Sequence, residues 1–259
     1  MSELVLTSIA DGVATLTLNR PEAFNALDAE LMRAFGASIA QCSVDPTVRA
    51  IIITGAGKAF CGGGDLKWAM SAPGGAPAAL HGLAGQFHLS ITEIRRMAKP
   101  VIAAVNGVAA GGGFSLALAC DFRVLASSAM LKQAYTSAGL SLDGGGTFAL
   151  PRLVGLARAL EITAFDAPIP ADQALTWGLA TKVVAPDQLL AAATEMARTI
   201  ARGSLHSYGV AKRLLTDSLD TSLETQLERE RNGLCTCAAH ADGQEGLRAF
   251  AEKRRPTFR

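Results

Sequence analysis

Apolar and polar positions along the chain change period several times, and each change marks an element. Val13–Leu18 (VATLTL) alternates with period two, the pattern of a half-exposed strand. In residues 29–41, Leu31, Phe35 and Ile39 recur at helical spacing, so the pattern predicts a helix capped by Asp28. Residues 50–54 (AIIIT) and Val101–Val105 (VIAAV) are short unbroken apolar runs, as in strands buried in a parallel sheet. Between them lie a Gly/Ala/Pro-rich loop at 71–79 and a predicted helix over 80–97. Residues 111–120 read as a helix opened by glycines and 122–125 as another strand. This alternation implies right-handed crossovers and an α/β layered core. The last third differs: residues 171–177, 187–201, 205–215, 221–231 and 243–253 carry helical periodicity with little strand signal. A helical tail of this kind packs against a neighbour, so an oligomer is expected.

Composition narrows the function classes. With 259 residues, 49% of them hydrophobic, the chain can bury one large core and carry a helical extension. A net charge of +1 gives no electrostatic case for nucleic acid or for an anionic membrane surface. The basic run 253–255 reads as a solvated helix end. Five cysteines (Cys42, Cys61, Cys120, Cys235, Cys237) have neither CxxC nor zinc spacing, so reduced thiols and no metal are expected. The start, MSELVLTSIADG, lacks the basic-then-apolar order of a signal peptide. No apolar segment reaches the roughly 20 residues that span a bilayer. A soluble, cytoplasmic protein is expected.

Three glycine-rich places carry the candidate chemistry. IIITGAGKAFCGGGDL (51–66) and VIAAVNGVAAGGGFSLALACD (101–121) each join a buried strand to a glycine cluster. Glycine lets backbone N–H groups face a ligand closely, and the second cluster opens a helix whose first N–H groups lack intrahelical partners. Two such turns side by side would aim two donors at one carbonyl oxygen, an oxyanion hole. The plainer alternative is a pair of tight turns. Neither cluster matches a phosphate-binding fingerprint. The third place is Asp143, followed by Gly144, Gly145 and Gly146. It is either a turn or capping residue or a carboxylate at a pocket edge.

RPEAFNALD (20–28), GAGKAFCGGGDL (55–66), KPVIAAVNGVAAGGG (99–113) and LALACDFRV (116–124) resemble, in order, the enoyl-CoA hydratase/isomerase, or crotonase, family. The resemblance implies the crotonase fold of repeated ββα units. The core would span residues 1–200, with a helical trimerisation region over 201–259, assembled as trimers or pairs of trimers. It implies an acyl-CoA substrate and no separate cofactor, coenzyme A entering as part of the substrate. Gly64 and Gly112 would supply the oxyanion-hole N–H groups. Coenzyme A would lie along Ala26 and Leu27, along Gly62, Asp65 and Leu66 of the first glycine turn, and against Phe250 and Lys253.

The resemblance also separates reactions. The hydratases use two glutamates on one water, and Ser115 and Tyr135 occupy those positions. Asp143 matches a subgroup that includes isomerases of ring-containing phenylacetyl-CoA derivatives, where one carboxylate moves a proton between two carbons. The 4-chlorobenzoyl-CoA dehalogenases also place an aspartate eight residues after an aromatic one. There the carboxylate attacks the ring and a histidine, here His88 beside Phe87, activates water. His88 borders the apolar stripe Leu80, Ala84, Phe87, Ile91 and Ile94, and a structural hydrogen bond is its other reading. Ser115 would bond back to a carbonyl; Tyr135 would line the acyl pocket or bond to Asp143. The favoured expectation is an acyl-CoA isomerase using Asp143. A dehalogenase-like hydrolase, a hydratase-like lyase and a silent acyl-CoA binder are its rivals.

Overall fold

The computed structural model describes residues 3–258. Among the described residues ten strands form two sheets. The larger contains β1 (Val5–Ala10), β2 (Val13–Leu18), β3 (Ala50–Gly55), β5 (Val101–Val105), β7 (Phe122–Ala126) and β10 (Lys182–Val184), in that order. The smaller is ordered β4 (Ala59–Cys61), β6 (Val108–Ala110), β8 (Met130–Lys132), β9 (Ile169–Pro170). All neighbours are parallel except β1–β2 and β8–β9. Each apolar run in the large sheet therefore continues directly into a short strand of the small one: β3 into β4, β5 into β6, β7 into β8. These are the repeated ββα units of a crotonase fold.

The helices are α1 (Ala29–Val44), α2 (Leu66–Ser71), α3 (Gly75–Arg96), α4 (Gly112–Ala119), α5 (Gly146–Phe165), α6 (Ala171–Thr176), α7 (Leu189–Ala201), α8 (Leu205–Asp217), α9 (Leu223–Ala239) and α10 (Ala241–Ala251). Asp28 caps α1 as expected, its carboxylate accepting from the Leu31 N–H at 2.8 Å. α7 packs across β2, β3, β5 and β7, while α1 packs on α3. The core between them includes Leu16, Ile51, Ile52, Ile53 and Phe35, each at most 1% exposed.

Three elements depart from the pattern-based expectation. β1 pairs with β2, but only its first residue is buried, so VLTSIA shows no burial alternation. α3 starts at Gly75, five residues before the predicted 80, because Pro77 sits in its first turn, where a missing N–H costs nothing. α5 runs through GTFALPRLVGLARALEITAF despite Pro151 and is kinked at Gly155. α8 is tied to the core by Lys212, whose ammonium reaches Asp121 at 2.7 Å and the Ile94 carbonyl at 2.7 Å. The cysteines are free thiols, with Cys42, Cys61 and Cys120 buried. No helix among the described residues is long and apolar enough to cross a membrane.

Candidate active site

The ββα repeat brings the two glycine turns together, because β4 and β6 are neighbours and each leads into one. Leu27 bridges Gly64 in parallel: its N–H donates to the Gly63 carbonyl at 2.7 Å, and the Asp65 N–H donates to its carbonyl at 2.8 Å. These bonds use the residues flanking Gly64, so its own N–H points away from Leu27. Gly112 is the first residue of α4, where an N–H has no intrahelical acceptor and the helix dipole is positive. Among the described residues no acceptor takes either N–H.

The two peptide groups lie side by side. A Cβ built on Gly112 would stand 3.8 Å from the Gly64 nitrogen. Gly63 shows why glycine is required at the junction: its φ is +95°, and a Cβ there would fall 2.9 Å from the Ala110 carbonyl oxygen. Both turns open on a cavity of about 300 Å³ lined by Leu27, Gly62, Gly64, Leu66, Gly112, Tyr135 and Asp143. Apart from Ser141, the side chains of its remaining wall are apolar, from Leu80, Leu83, Ala84 and Phe87 of α3 and from Ala134, Ala138 and Leu140.

Asp143 is the cavity's carboxylate. Its loop turns sharply before α5, with the Gly146 N–H donating to the Asp143 carbonyl at 3.1 Å. Gly144 has φ +62°, and a Cβ on it would come within 2.2 Å of the Phe87 ring, so the loop lies directly on α3. That contact brings His88, the next residue of α3, against Asp143. His88 Nε2 and Asp143 Oδ1 are hydrogen-bonded, the imidazole N–H being the donor whenever the carboxylate is ionised. The His88 side chain is 54% exposed and does not line the cavity; Asp143 is 34% exposed and does.

Ser115 and Tyr135 form a hydroxyl pair instead of a carboxylate pair. Ser115 Oγ and Tyr135 Oη are 3.2 Å apart, and Tyr135 Oη donates weakly, at 3.5 Å, to the Asp143 backbone carbonyl. The serine thus meets the tyrosine rather than a helix carbonyl, and the tyrosine reaches the Asp143 main chain rather than its carboxylate. Burial pushes the Tyr135 phenol up to about 12, so it stays neutral. Cys61, one turn away, is likewise pushed up by burial to about 12.

The other expected contact residues divide. Leu27, Gly62 and Leu66 line the cavity. The Ala26 carbonyl accepts from Arg20 at 2.6 Å, and the Asp65 carboxylate caps α2 and pairs with Arg20 at 3.2 Å. Those two polar groups are therefore engaged within the chain. Phe250 is 86% exposed on α10 and Lys253 is exposed just beyond it; neither reaches the cavity.

The family resemblance places Asn25 only in the backbone segment 25–28 along coenzyme A, and its side chain proves to have a structural part. It is fully buried, with φ +55°, and its amide donates to the Ala56 and Ala59 carbonyls at 3.0 and 2.8 Å. It clamps the RPEAFNALD turn to the segment leading into the first glycine cluster. The signal was an asparagine before an apolar residue in a turn, a residue type that tolerates left-handed backbone.

Comparison with known proteins gives one consistent picture. A family model described as enoyl-CoA hydratase/isomerase matches residues 8–259. The chain is 37% identical to 1,2-epoxyphenylacetyl-CoA isomerase of Escherichia coli, covering 100% of this chain and 99% of that one. It is 36% identical to crotonyl-CoA hydratase of Syntrophomonas wolfei, covering 99% and 98%. Among solved structures, an enoyl-CoA hydratase from a Polaromonas species superposes with a TM-score of 0.93 at 36% identity, covering 98% and 99%.

Proposed function

Because the chain belongs to the enoyl-CoA hydratase/isomerase family, we propose that it is an acyl-CoA isomerase acting through an oxyanion-stabilised enolate. One observation carries this reading: Asp143 is the single carboxylate lining a cavity that also receives the Gly64 and Gly112 turns. The thioester carbonyl oxygen accepts from those two N–H groups. Asp143 removes a proton from a carbon beside the thioester, and the electron pair moves into a dienolate whose negative oxygen the N–H groups hold. The protonated Asp143 then returns the proton to a different carbon, so the double bond moves and nothing is added or lost. His88 holds the carboxylate from the solvent side. The apolar wall suits an unsaturated or ring-bearing acyl group, and coenzyme A enters as part of the substrate with no other cofactor. Hydration is disfavoured because Ser115 and a neutral Tyr135 supply no second base.

A second reading is supported by the His88–Asp143 hydrogen bond. Hydrolytic displacement at a halogenated ring would use Asp143 as nucleophile and His88 as base. Product mass separates the chemistries: isomerisation leaves the acyl mass unchanged, hydration adds water, and chloride displacement exchanges chlorine for hydroxyl. In D₂O the isomerase should also wash deuterium into the acyl chain. Asp143→Asn should lower turnover by about 10²–10⁴-fold. Wild-type turnover by Asp143→Asn on every accepted substrate would refute the assignment, and acyl-CoA binding without turnover would identify a silent binder. The assembly we propose is a homotrimer or dimer of trimers, supported by apolar side chains left 54–86% exposed on α9 and α10, among them Leu227, Leu234 and Phe250. Light scattering tests it.

A further inference from the structure

A second cavity, of about 450 Å³, shares no lining residue with the first and lies among α3, α4, α5 and α8. Its charges do not balance. Arg95, Arg123, Arg152 and Lys212 line it against one carboxylate, Asp121. That carboxylate is engaged, since Asp121 Oδ2 accepts from Lys212 at 2.7 Å and from the Val101 N–H at 2.9 Å. Lys212 gives further bonds to backbone carbonyls, and Arg123 donates to the Leu179 and Cys120 carbonyls at 2.7 Å each.

Of the other two guanidinium groups, one is only partly engaged and one, among the described residues, has no polar partner. Arg152 donates to the Phe148 carbonyl at 3.0 Å and reaches Asp220, itself 64% exposed, only at 3.4 Å. Arg95 makes no hydrogen bond or ion pair among the described residues; the nearby Asp217 is paired with Arg96 at 3.0 Å. Both guanidinium groups converge on one ring, with carbons 5.4 Å (Arg95) and 3.5 Å (Arg152) from the Phe148 centroid. Burial draws Arg95 below its ordinary value; Arg152 and Arg96 add to that shift, and Asp121 and Asp217 oppose it. A half-buried cation beside a second one is costly until an anion joins them. A planar fork of N–H donors fits a carboxylate best. Beyond the charged groups, Leu118, Phe122, Leu153 and Leu215 give the walls an apolar part beside the hydroxyls of Tyr208 and Thr216, which suits an anion with an apolar body.

We propose that this cavity binds a small organic carboxylate with an aromatic or medium-chain body, its carboxylate held between Arg95 and Arg152. The site is independent of the chemistry assigned to Asp143. It nevertheless touches the same scaffold: Arg95 lies about two turns beyond His88 on α3, and Phe148 lies in the first turn of α5, just after the Asp143 loop.

Calorimetric titration of the intact protein with phenylacetate and with octanoate tests it. Acetate supplies the carboxylate without the body, and 2-phenylethanol the body without the carboxylate. Saturable binding of the first two is expected, with both controls weaker by about tenfold or more. Arg95→Gln should weaken binding by about tenfold, and Arg95→Lys, which keeps charge without the fork, by less. Asp143→Asn should leave binding unchanged, whereas an anion bound in the active-site cavity would gain affinity when that negative charge is removed, so the variant separates the two cavities whether or not the isomerase reading holds. Circular dichroism checks that each variant is folded. Binding that survives Arg95→Gln, that strengthens or weakens in Asp143→Asn, or that is absent from the wild type overturns the proposal. So does Arg95→Gln acting only by dissociating the assembly in sedimentation, which would mean that an acidic side chain of a second copy fills the fork.

Discussion

Gly112 and Gly113 are adjacent, yet alanine at the two positions should produce opposite failures. A Cβ on Gly112 would meet Leu27 Cδ1 at 3.0 Å, the flexible tip of a side chain that borders the cavity and need yield only a few tenths of an ångström. Gly112 opens α4 and is not among the glycines with positive φ, so helical alanine is permitted there. Alanine gains roughly 0.5–1 kcal/mol over glycine in a helix, about what the Leu27 adjustment costs, so stability should change by less than about 1 kcal/mol. That is a shift of no more than about 4 °C for a chain of this size. The same methyl would stand 3.8 Å from the Gly64 nitrogen, crowding an oxygen that must sit about 2.7–3.1 Å from that nitrogen. Loss of one oxyanion donor typically lowers kcat by about 10²–10³, roughly 3–4 kcal/mol of transition-state stabilisation. Because the bond strengthens as charge develops, kcat should fall more than KM rises. Gly113→Ala is the contrast: its Cβ would lie 2.1 Å from the Cys61 carbonyl oxygen, backbone that cannot yield. It should cost about 3 kcal/mol or more in stability. Steady-state kinetics and calorimetric melting of both variants decide the matter. A folded Gly112→Ala enzyme working within about threefold of wild type would refute an oxyanion role for this turn.

Two further perturbations follow from buried polar groups. Lys212→Met removes the partner of Asp121 and the donor to the Ile94 carbonyl; it should cost about 3–5 kcal/mol, read as a fall in Tm of roughly 10 °C. Tyr135 titrates from its usual 10.0 in the unfolded chain to about 12 in the fold. The unfolded state therefore loses that proton first, so the stabilisation is present below pH 10 and is lost as pH rises towards 12, by up to about 1.4 kcal/mol per pH unit. Denaturant melts of Tyr135→Phe should show a shallower alkaline decline than wild type, and an equal slope would contradict the burial argument.

Legibility in the sequence followed how local each signal was. β2, β3, β5 and the Asp28-capped helix could be read because their own residues carry the period and the cap. The four strands of the small sheet are two or three residues long, too short to show any period. Yet it is their pairing that sets Gly64 beside Gly112. β1 was missed because an exposed edge strand gains its pairing from β2 and shows no alternation of burial. α5 was missed because Gly146, Pro151 and Gly155 all argue against helix, and tertiary packing overrides that preference. At the site, Asp143, Tyr135, Gly64 and Gly112 were each identified singly. That His88 meets Asp143 depends on Gly144 lying against Phe87, a contact between residues 57 positions apart that no local pattern contains.

Overall identity does not select the reaction, since the chain is about as similar to a hydratase as to an isomerase. The proposed isomerase reading rests on a few atoms. Adding water across a double bond needs one water held between two groups, one taking its proton and the other donating one. Ser115 and Tyr135 donate and accept hydrogen bonds, but a phenol pushed up to about 12 is no base near neutral pH. Moving a double bond needs one group that takes a proton and gives it back, and one carboxylate at the cavity edge suffices. The same fold can serve either reaction, and the isomerase reading proposed above is supported by the side chains at 115, 135 and 143.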